Sequence, residues 1–114
     1  MNRSFFTALL GLFFLVGKSH GQPDVPKGYF RSPVDIPITL SGTFGEPRST
    51  HFHSGLDIKT QGREGLPIYA IADGYVSRIK ISPWGFGHAL YIKHSNGYES
   101  VYAHLSRYND EIAD

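Results

Sequence analysis

The sequence contains no cysteine among its 114 residues. It therefore predicts neither a disulfide framework nor a lipid anchor attached through a cysteine. Small exported domains often depend on such cross-links. Here, stability must come from a packed core or from a bound metal ion.

Long apolar runs are also missing. The longest run, residues 5–16, is almost entirely apolar but shorter than the roughly 20 residues that a transmembrane helix requires. Arg3 precedes it and the small residues Ser19 and Gly21 follow it, which is typical of a secretory signal peptide. The alternative, a buried N-terminal helix, lacks the polar face that such a helix needs. We expect a signal peptide over residues 1–21, a periplasmic or extracellular protein, and no transmembrane segment in the mature chain.

The chain carries little net charge. Its 11 basic and 10 acidic residues give a formal charge of +1, and the predicted signal peptide contains Arg3 and Lys18 but no acidic residue. The mature chain would be close to neutral, and its sequence has no basic patch of the kind that binds nucleic acid. We therefore expect no nucleic-acid partner.

Proline is concentrated in residues 22–37, which contain Pro23, Pro26, Pro33 and Pro37. Because proline cannot donate a backbone hydrogen bond, this segment predicts an extended lead-in with no regular element before residue 38. Beyond it, short runs rich in Ile, Val and Tyr alternate with turn signals. Their length and composition predict strands at residues 38–44, 67–72, 75–81, 89–94 and 98–105.

Turn residues and alternation predict how these strands pair. Asp73-Gly74 and Asn96-Gly97 tolerate the positive φ that tight hairpin turns require. Within residues 75–81, strict alternation would place Val76 on the face opposite Ile79 and Ile81. The sequence predicts an antiparallel meander, with a short helix beginning after Ser106.

Two potential metal ligands, His53 and Asp57, lie four residues apart in the stretch HFHSGLD. Imidazole and carboxylate are both donors that zinc accepts. Ser54 and Gly55 disfavour a helix here, and in an extended strand the two residues would be about 13 Å apart. A bend at Gly55 would bring them together. Their spacing alone leaves a solvated loop as the alternative.

Three longer blocks resemble the lysostaphin/LytM-type zinc metallopeptidases. These blocks are GTFGEPRSTHFHSGLDIKT, PIYAIADGYV and GFGHALYIKHSNGYESVYAHLS, which occur in the family's order between about Gly42 and Ser106. The resemblance implies an all-β fold, an antiparallel β-sheet sandwich of the lysostaphin type. It also implies a Zn²⁺ cofactor and, as substrate, the peptide bonds of bacterial cell-wall peptidoglycan.

The resemblance also assigns roles to individual residues. The family's His-x-x-x-Asp motif falls on His53 and Asp57, which implies that both are zinc ligands. The histidine of its Tyr-x-His-Leu block falls on His104, which implies a catalytic role, and a strand-end imidazole could hydrogen-bond the attacking water or the developing oxyanion. Without the family, His104 would be interpreted as an ordinary polar strand residue.

Arg48 and His88 are candidates for binding substrate. Arg48 precedes the motif where the family often has arginine, and it could instead orient a ligand. His88 follows a glycine-rich loop that corresponds to loops at the border of the family's cleft, and an exposed loop residue is the alternative. We expect His94, beside the Asn-Gly turn, to be exposed, and His51 to lie outside the motif.

The sequence departs from the family pattern at the third zinc ligand. That ligand comes from a His-x-His motif well after the Tyr-x-His-Leu block, and the His-x-His here, at residues 51–53, overlaps the first motif. We therefore expect residues 38–114 to form a partial domain, truncated at its C-terminus, and this chain by itself to be inactive. The alternative function is a non-catalytic cell-wall-binding or regulatory module of the same fold.

Overall fold

The computed structural model describes residues 25–113, so the predicted signal peptide, residues 1–21, lies outside the described range. Within it are β1 (Leu40–Gly42), β2 (Asp57–Ile58), β3 (Gly74–Ile81), β4 (His88–His94), β5 (Glu99–Tyr102) and α1 (Asp110–Ala113). β1 pairs with β2, and β4 lies between β3 and β5; every pairing is antiparallel. The predicted all-β, antiparallel class is confirmed. Among these residues, no helix is long and apolar enough to cross a membrane.

The turn between β4 and β5 is the one that the Asn-Gly signal predicts. Gly97 has a φ of 86°, in the left-handed region that glycine enters without a steric cost. The amide of His94 donates to the carbonyl of Tyr98 over 2.9 Å, which closes the hairpin. The turn thereby fixes the register of β5 against the central strand.

A β-bulge at Ser77 changes which side chains of β3 share a face. The register shifts between Val76, which pairs with Ile92, and Arg78, which pairs with Tyr91. An extra residue in one strand reverses the alternation beyond it. Val76 therefore lies on the same face as Ile79, and the strict alternation expected for residues 75–81 is wrong.

The strand predicted at residues 67–72 is absent, because the segment runs beside the proline-rich lead-in rather than beside another strand. Tyr69 N–H donates to the carbonyl of Pro33 (2.8 Å), and Arg31 N–H donates to the carbonyl of Ile71 (2.7 Å). Pro33 has no N–H to return, so a regular ladder cannot form. Asp73-Gly74 consequently does not form a hairpin turn, and Gly74 begins β3.

The lead-in contributes to the small core. The buried apolar residues are Val34, Ala89, Leu90 and Ile92. As expected, none of the described residues before position 38 forms a helix or strand. The ring of Phe30 nevertheless packs edge-on against the rings of His94 and Tyr98, with centroids 6.4 Å and 6.0 Å apart. Phe30 thus packs against the end of β4 and the turn that follows it.

His94 is buried, with 5% of its surface exposed, so the expectation that it is exposed is wrong. It ends the central strand β4, and its ring bridges two neighbours: Nδ1 lies 2.8 Å from the carbonyl of Asp73, and Nε2 lies 2.9 Å from Ser100 Oγ. Because a carbonyl only accepts, Nδ1 carries the proton and donates it. A buried imidazole with both nitrogens bonded is a structural residue here.

Candidate metal and catalytic site

A short antiparallel fold-back of residues 45–53 positions His53. Gly45 N–H donates to the carbonyl of His53 (2.7 Å), and His53 N–H donates to the carbonyl of Glu46 (2.8 Å). Gly45 has a φ of 78°, which its missing side chain permits at this turn. The fold-back places the imidazole of His53 beside the carbonyl of Thr43.

The contact with Thr43 determines which nitrogen of the neutral His53 ring carries the proton. Nδ1 of His53 lies 2.9 Å from the Thr43 carbonyl oxygen, and since that oxygen can only accept, Nδ1 must carry a proton. In the neutral imidazole, Nε2 then presents a lone pair. This is the tautomer found when a histidine binds a metal through Nε2 and donates its other N–H to a carbonyl.

Asp57 lies next to that free nitrogen. It begins β2, pairs with Gly42 of β1, and follows the predicted bend at Gly55. Asp57 Oδ1 lies 3.1 Å from His53 Nε2. A carboxylate oxygen and a lone pair repel each other, so this approach requires a proton or a cation between them.

Arg48 binds the other oxygen of the same carboxylate, with its terminal nitrogen 2.8 Å from Asp57 Oδ2. The Arg48 guanidinium holds the pKa of the Asp57 carboxyl below its usual value; partial burial opposes this, and His53 and His104 add to the lowering. A lowered pKa keeps Asp57 ionised at neutral pH. An ionised carboxylate is the form that binds a metal cation.

His104 lies just beyond β5 in an uncommon backbone conformation, with a φ of 57°. Its amide donates to the carbonyl of Phe86 over 2.9 Å, and the next amide, that of Leu105, donates to the carbonyl of His88 over 3.1 Å. These bonds hold the backbone of the exposed His104 in place. The charge of the His104 ring is the smallest of the causes that lower the pKa of the Asp57 carboxyl.

The two residues expected to bind substrate have different surroundings. The Arg48 guanidinium forms ion pairs within the chain, with Asp57 and, at 3.3 Å, with Glu46 Oε2. His88 begins β4, and its half-buried ring lies 5.8 Å from the ring of Tyr108. His51 is exposed and hydrogen-bonds Thr50 Oγ1 over 3.1 Å.

Three residues that support the site carry no signal in the sequence. They are Gly42, Thr43 and Glu46, which lie in or beside the loop that follows β1. Thr43 acts through its backbone, so residue type could not reveal it. Glu46 has an ordinary acidic side chain, and its contact with Arg48 depends on the fold-back. Sequence patterns identify donor atoms but not the contacts that orient them.

The donor set suits a zinc ion but is incomplete within residues 25–113. One imidazole nitrogen and one carboxylate oxygen are zinc donors, and the protonated Nδ1 of His53 leaves Nε2 free to bind. No group of three or more His, Cys, Asp or Glu side chains among the described residues could hold a metal ion. Within the described residues, His53 and Asp57 therefore offer two of the donors that such an ion needs.

Comparison with known proteins gives several similar sequences. The chain is 40% identical over 88 residues to the DD-carboxypeptidase/endopeptidase Mpg of Neisseria meningitidis serogroup B. This match covers 73% of the chain and 20% of Mpg. It is 35% identical over 86 residues to the peptidoglycan DD-endopeptidase ShyC of Vibrio cholerae serotype O1, a match that covers 71% of the chain and 19% of ShyC. It is 32% identical over 83 residues to the cell division protein DipM of Caulobacter vibrioides, a match that covers 73% of the chain and 13% of DipM. The chain thus spans a fifth or less of the length of these relatives.

No solved structure matches the chain. The model of peptidase family M23 matches residues 51–113, which is more than half of the chain and includes His53, Asp57 and His104. The chain therefore belongs to peptidase family M23, which confirms the resemblance to the lysostaphin/LytM-type metallopeptidases that its motifs indicate.

Proposed function

We propose that this chain is part of a zinc-dependent metalloendopeptidase that hydrolyses peptide bonds of bacterial peptidoglycan. The observation that carries the proposal is the pair formed by His53 and Asp57. The protonated Nδ1 of His53 directs Nε2 towards an ionised carboxylate oxygen 3.1 Å away, an arrangement that a cation would stabilise.

His53 Nε2 and Asp57 Oδ1 are the proposed zinc ligands. A zinc ion in such a site polarises the scissile carbonyl and lowers the pKa of water. The protein's own contribution is to hold the two donors in fixed orientations, His53 through the Thr43 carbonyl and Asp57 through Arg48. Prepositioned donors lose little conformational entropy when the metal binds.

His104 is the proposed catalytic residue. His104 is exposed, its charge contributes to the lowered pKa of Asp57, and its backbone is held by the bond to Phe86. From there the imidazole would accept a proton from the attacking water or donate a hydrogen bond to the developing oxyanion. A left-handed conformation at a residue other than glycine is kept only where surrounding contacts enforce it, and such residues are concentrated at functional sites.

The proposed substrate class is the peptide of peptidoglycan, with His88 as a residue that contacts it. Two of the relatives support this class by their names, since one is a peptidoglycan DD-endopeptidase and another a DD-carboxypeptidase/endopeptidase. Such a substrate lies outside the cytoplasm, so we also propose that the chain is exported after cleavage following Gly21. Intact-mass analysis of the exported protein would give Gln22 as its first residue, and retention of Met1 would contradict export by cleavage.

A second candidate function is a non-catalytic module that binds cell-wall peptide or a partner enzyme. The observation that favours it is the absence of a third metal donor near His53 and Asp57 among the described residues. The presence of His53, Asp57 and His104 together favours the enzyme, because a module without catalysis has no use for this combination. The two functions differ in whether product is released.

The proposal is tested by incubating purified peptidoglycan with the full-length protein, that is, the metalloendopeptidase of which this chain is proposed to be a part. The wild type is expected to release soluble fragments, to lose this activity with a chelator, and to regain it with zinc. His104→Ala is expected to bind zinc normally but to turn over roughly 10²-fold more slowly, the scale of a lost acid–base or oxyanion group. Binding of peptidoglycan without any release of fragments would instead support the second function.

A further inference from the structure

Four hydrogen bonds and the close approach of His53 to Asp57 form a closed ring that begins and ends at Thr43. The Thr43 carbonyl accepts from His53 Nδ1 (2.9 Å), and His53 Nε2 faces Asp57 Oδ1 (3.1 Å). Arg48 then donates to Asp57 Oδ2 (2.8 Å) and to Glu46 Oε2 (3.3 Å). The same Glu46 oxygen accepts the N–H of Thr43 (3.3 Å), which closes the ring.

Arg48 decides which oxygen of Asp57 is presented to His53. A carboxylate can rotate and present either oxygen, but the bond from Arg48 occupies Oδ2 and leaves Oδ1 facing Nε2. Glu46 Oε2 accepts from the same terminal nitrogen of Arg48, at 3.3 Å, and so further restrains the guanidinium. This nitrogen lies at the end of a rigid planar guanidinium, whereas the ammonium of lysine is a point charge on a flexible stem and would be held less precisely.

The backbone leaves room for this arrangement at Gly42. A Cβ atom there would lie 2.7 Å from the Arg48 terminal nitrogen and would also collide with Asp57 Oδ2. The bridge between Arg48 and Asp57 therefore occupies the space that a side chain at residue 42 would fill. This close fit makes the bridge a built feature rather than a chance surface contact.

We infer that Arg48 is a positioning residue for the metal ligand Asp57, not a residue that binds the substrate. The inference rests on the proposed zinc site and explains how its carboxylate is oriented. Both carboxylate contacts of Arg48 lie within the chain. Contacts that orient a ligand typically change metal affinity by about 10- to 100-fold when removed.

Electrostatics and positioning make opposite predictions for the loss of Arg48. A guanidinium beside a metal site repels the cation, so its removal by charge alone would tighten zinc binding. If Arg48 positions Asp57, its removal must weaken binding. The pair is also partly exposed, with 38% and 39% of the side-chain surfaces accessible, and exposed pairs add little to folding stability.

Calorimetric titration of the purified chain with ZnCl₂ separates these possibilities. Arg48→Gln is expected to bind zinc about 10-fold or more weakly than the wild type, with a thermal unfolding midpoint close to that of the wild type. The matched control is Arg63→Gln, because Arg63 is an exposed arginine whose side chain contacts Gln61 rather than an acidic ligand. The control should bind zinc within twofold of the wild type. Equal or tighter binding by Arg48→Gln would overturn the inference.

A double-mutant cycle with Asp57→Asn tests whether Arg48 acts through Asp57. In that background, Arg48→Gln should cause no further loss of zinc affinity, and a further loss would show that Arg48 acts elsewhere. If Arg48→Gln fails to fold, Arg48→Lys is used in its place. Arg48→Lys should bind zinc more weakly than the control Arg63→Gln. Zinc affinity equal to that of the wild type in Arg48→Lys would overturn the inference. Failure of the zinc site itself would give a different result from failure of the inference about Arg48. If His53 and Asp57 do not bind zinc, the wild type should bind no more zinc than His53→Ala.

Discussion

At the scale of single residues, the spacing of His53 and Asp57 predicted two metal donors, and the bend at Gly55 brings their side chains to 3.1 Å of each other. What the spacing could not give is their orientation. The Thr43 carbonyl that fixes the His53 ring is a backbone group present in every residue type. The role of Arg48 depends equally on the fold-back, which brings it beside Asp57 from nine positions away.

Gly42 offers a test at this scale. Gly42→Ala is expected to weaken zinc binding about 10-fold, because the new methyl group would displace the Arg48 and Asp57 side chains that orient each other. Those atoms are the ends of flexible side chains, so the fold should survive. Zinc titration and thermal unfolding are the two measurements.

The control for this substitution is Gly55→Ala. It adds the same methyl group at a glycine where no atom lies within 4 Å of the new Cβ; the φ of Gly55 is not positive, so alanine can keep the bend there. This variant should keep the zinc affinity of the wild type. Equal affinities of Gly42→Ala and Gly55→Ala would show that the space at Gly42 has no role in the site.

At the scale of elements, predictions succeeded in the three-stranded sheet, whereas β2, the two-residue partner of β1, was not predicted. The β-branched and aromatic runs at β3 and β4 and the Asn-Gly turn before β5 behaved as expected, since local preference and pairing agree there. Residues 67–72 have similar composition, but their neighbour is the proline-bearing lead-in. A single sequence does not reveal which segment will be the neighbour, nor the bulge at Ser77.

The buried His94 ties these elements together and can be tested by unfolding. Its ring links the residue before β3, through the Asp73 carbonyl, to β5, through Ser100. His94→Ala would remove the ring's bonds to the Asp73 carbonyl and to Ser100 Oγ, which keeps only its bond to Tyr102, and would leave a gap where the buried ring stood; we expect it to lower the free energy of unfolding by about 1–3 kcal/mol. Urea unfolding followed by circular dichroism measures the change.

Lys93→Ala is the matched control, because Lys93 is the neighbouring residue on β4 and is exposed. Its effect should be within about 0.5 kcal/mol of zero. If the two variants unfolded at the same urea concentration, the hydrogen bonds of His94 would contribute nothing measurable to stability.

At the scale of the whole molecule, the proline-rich lead-in packs against the three-stranded sheet, through the contacts of Phe30 with His94 and Tyr98. Val34 is 4% exposed, although the proline content around it predicts only an extended segment. We expect Val34→Ala to cost about 1–2 kcal/mol of unfolding free energy through lost apolar burial. Chemical denaturation measures this. Ile38→Ala, at a residue that is 52% exposed, is the control and should cost clearly less; equal costs would contradict packing by the lead-in.

The central claim is that His53 and Asp57 bind a metal ion, and the most direct test is the zinc content of the purified full-length protein by mass spectrometry. The wild type and His51→Ala, a control two residues from the site with an exposed ring, should contain equal zinc. His53→Ala and Asp57→Ala should each lose most of it, because each removes a donor. Undiminished zinc in either of these two variants would contradict the account.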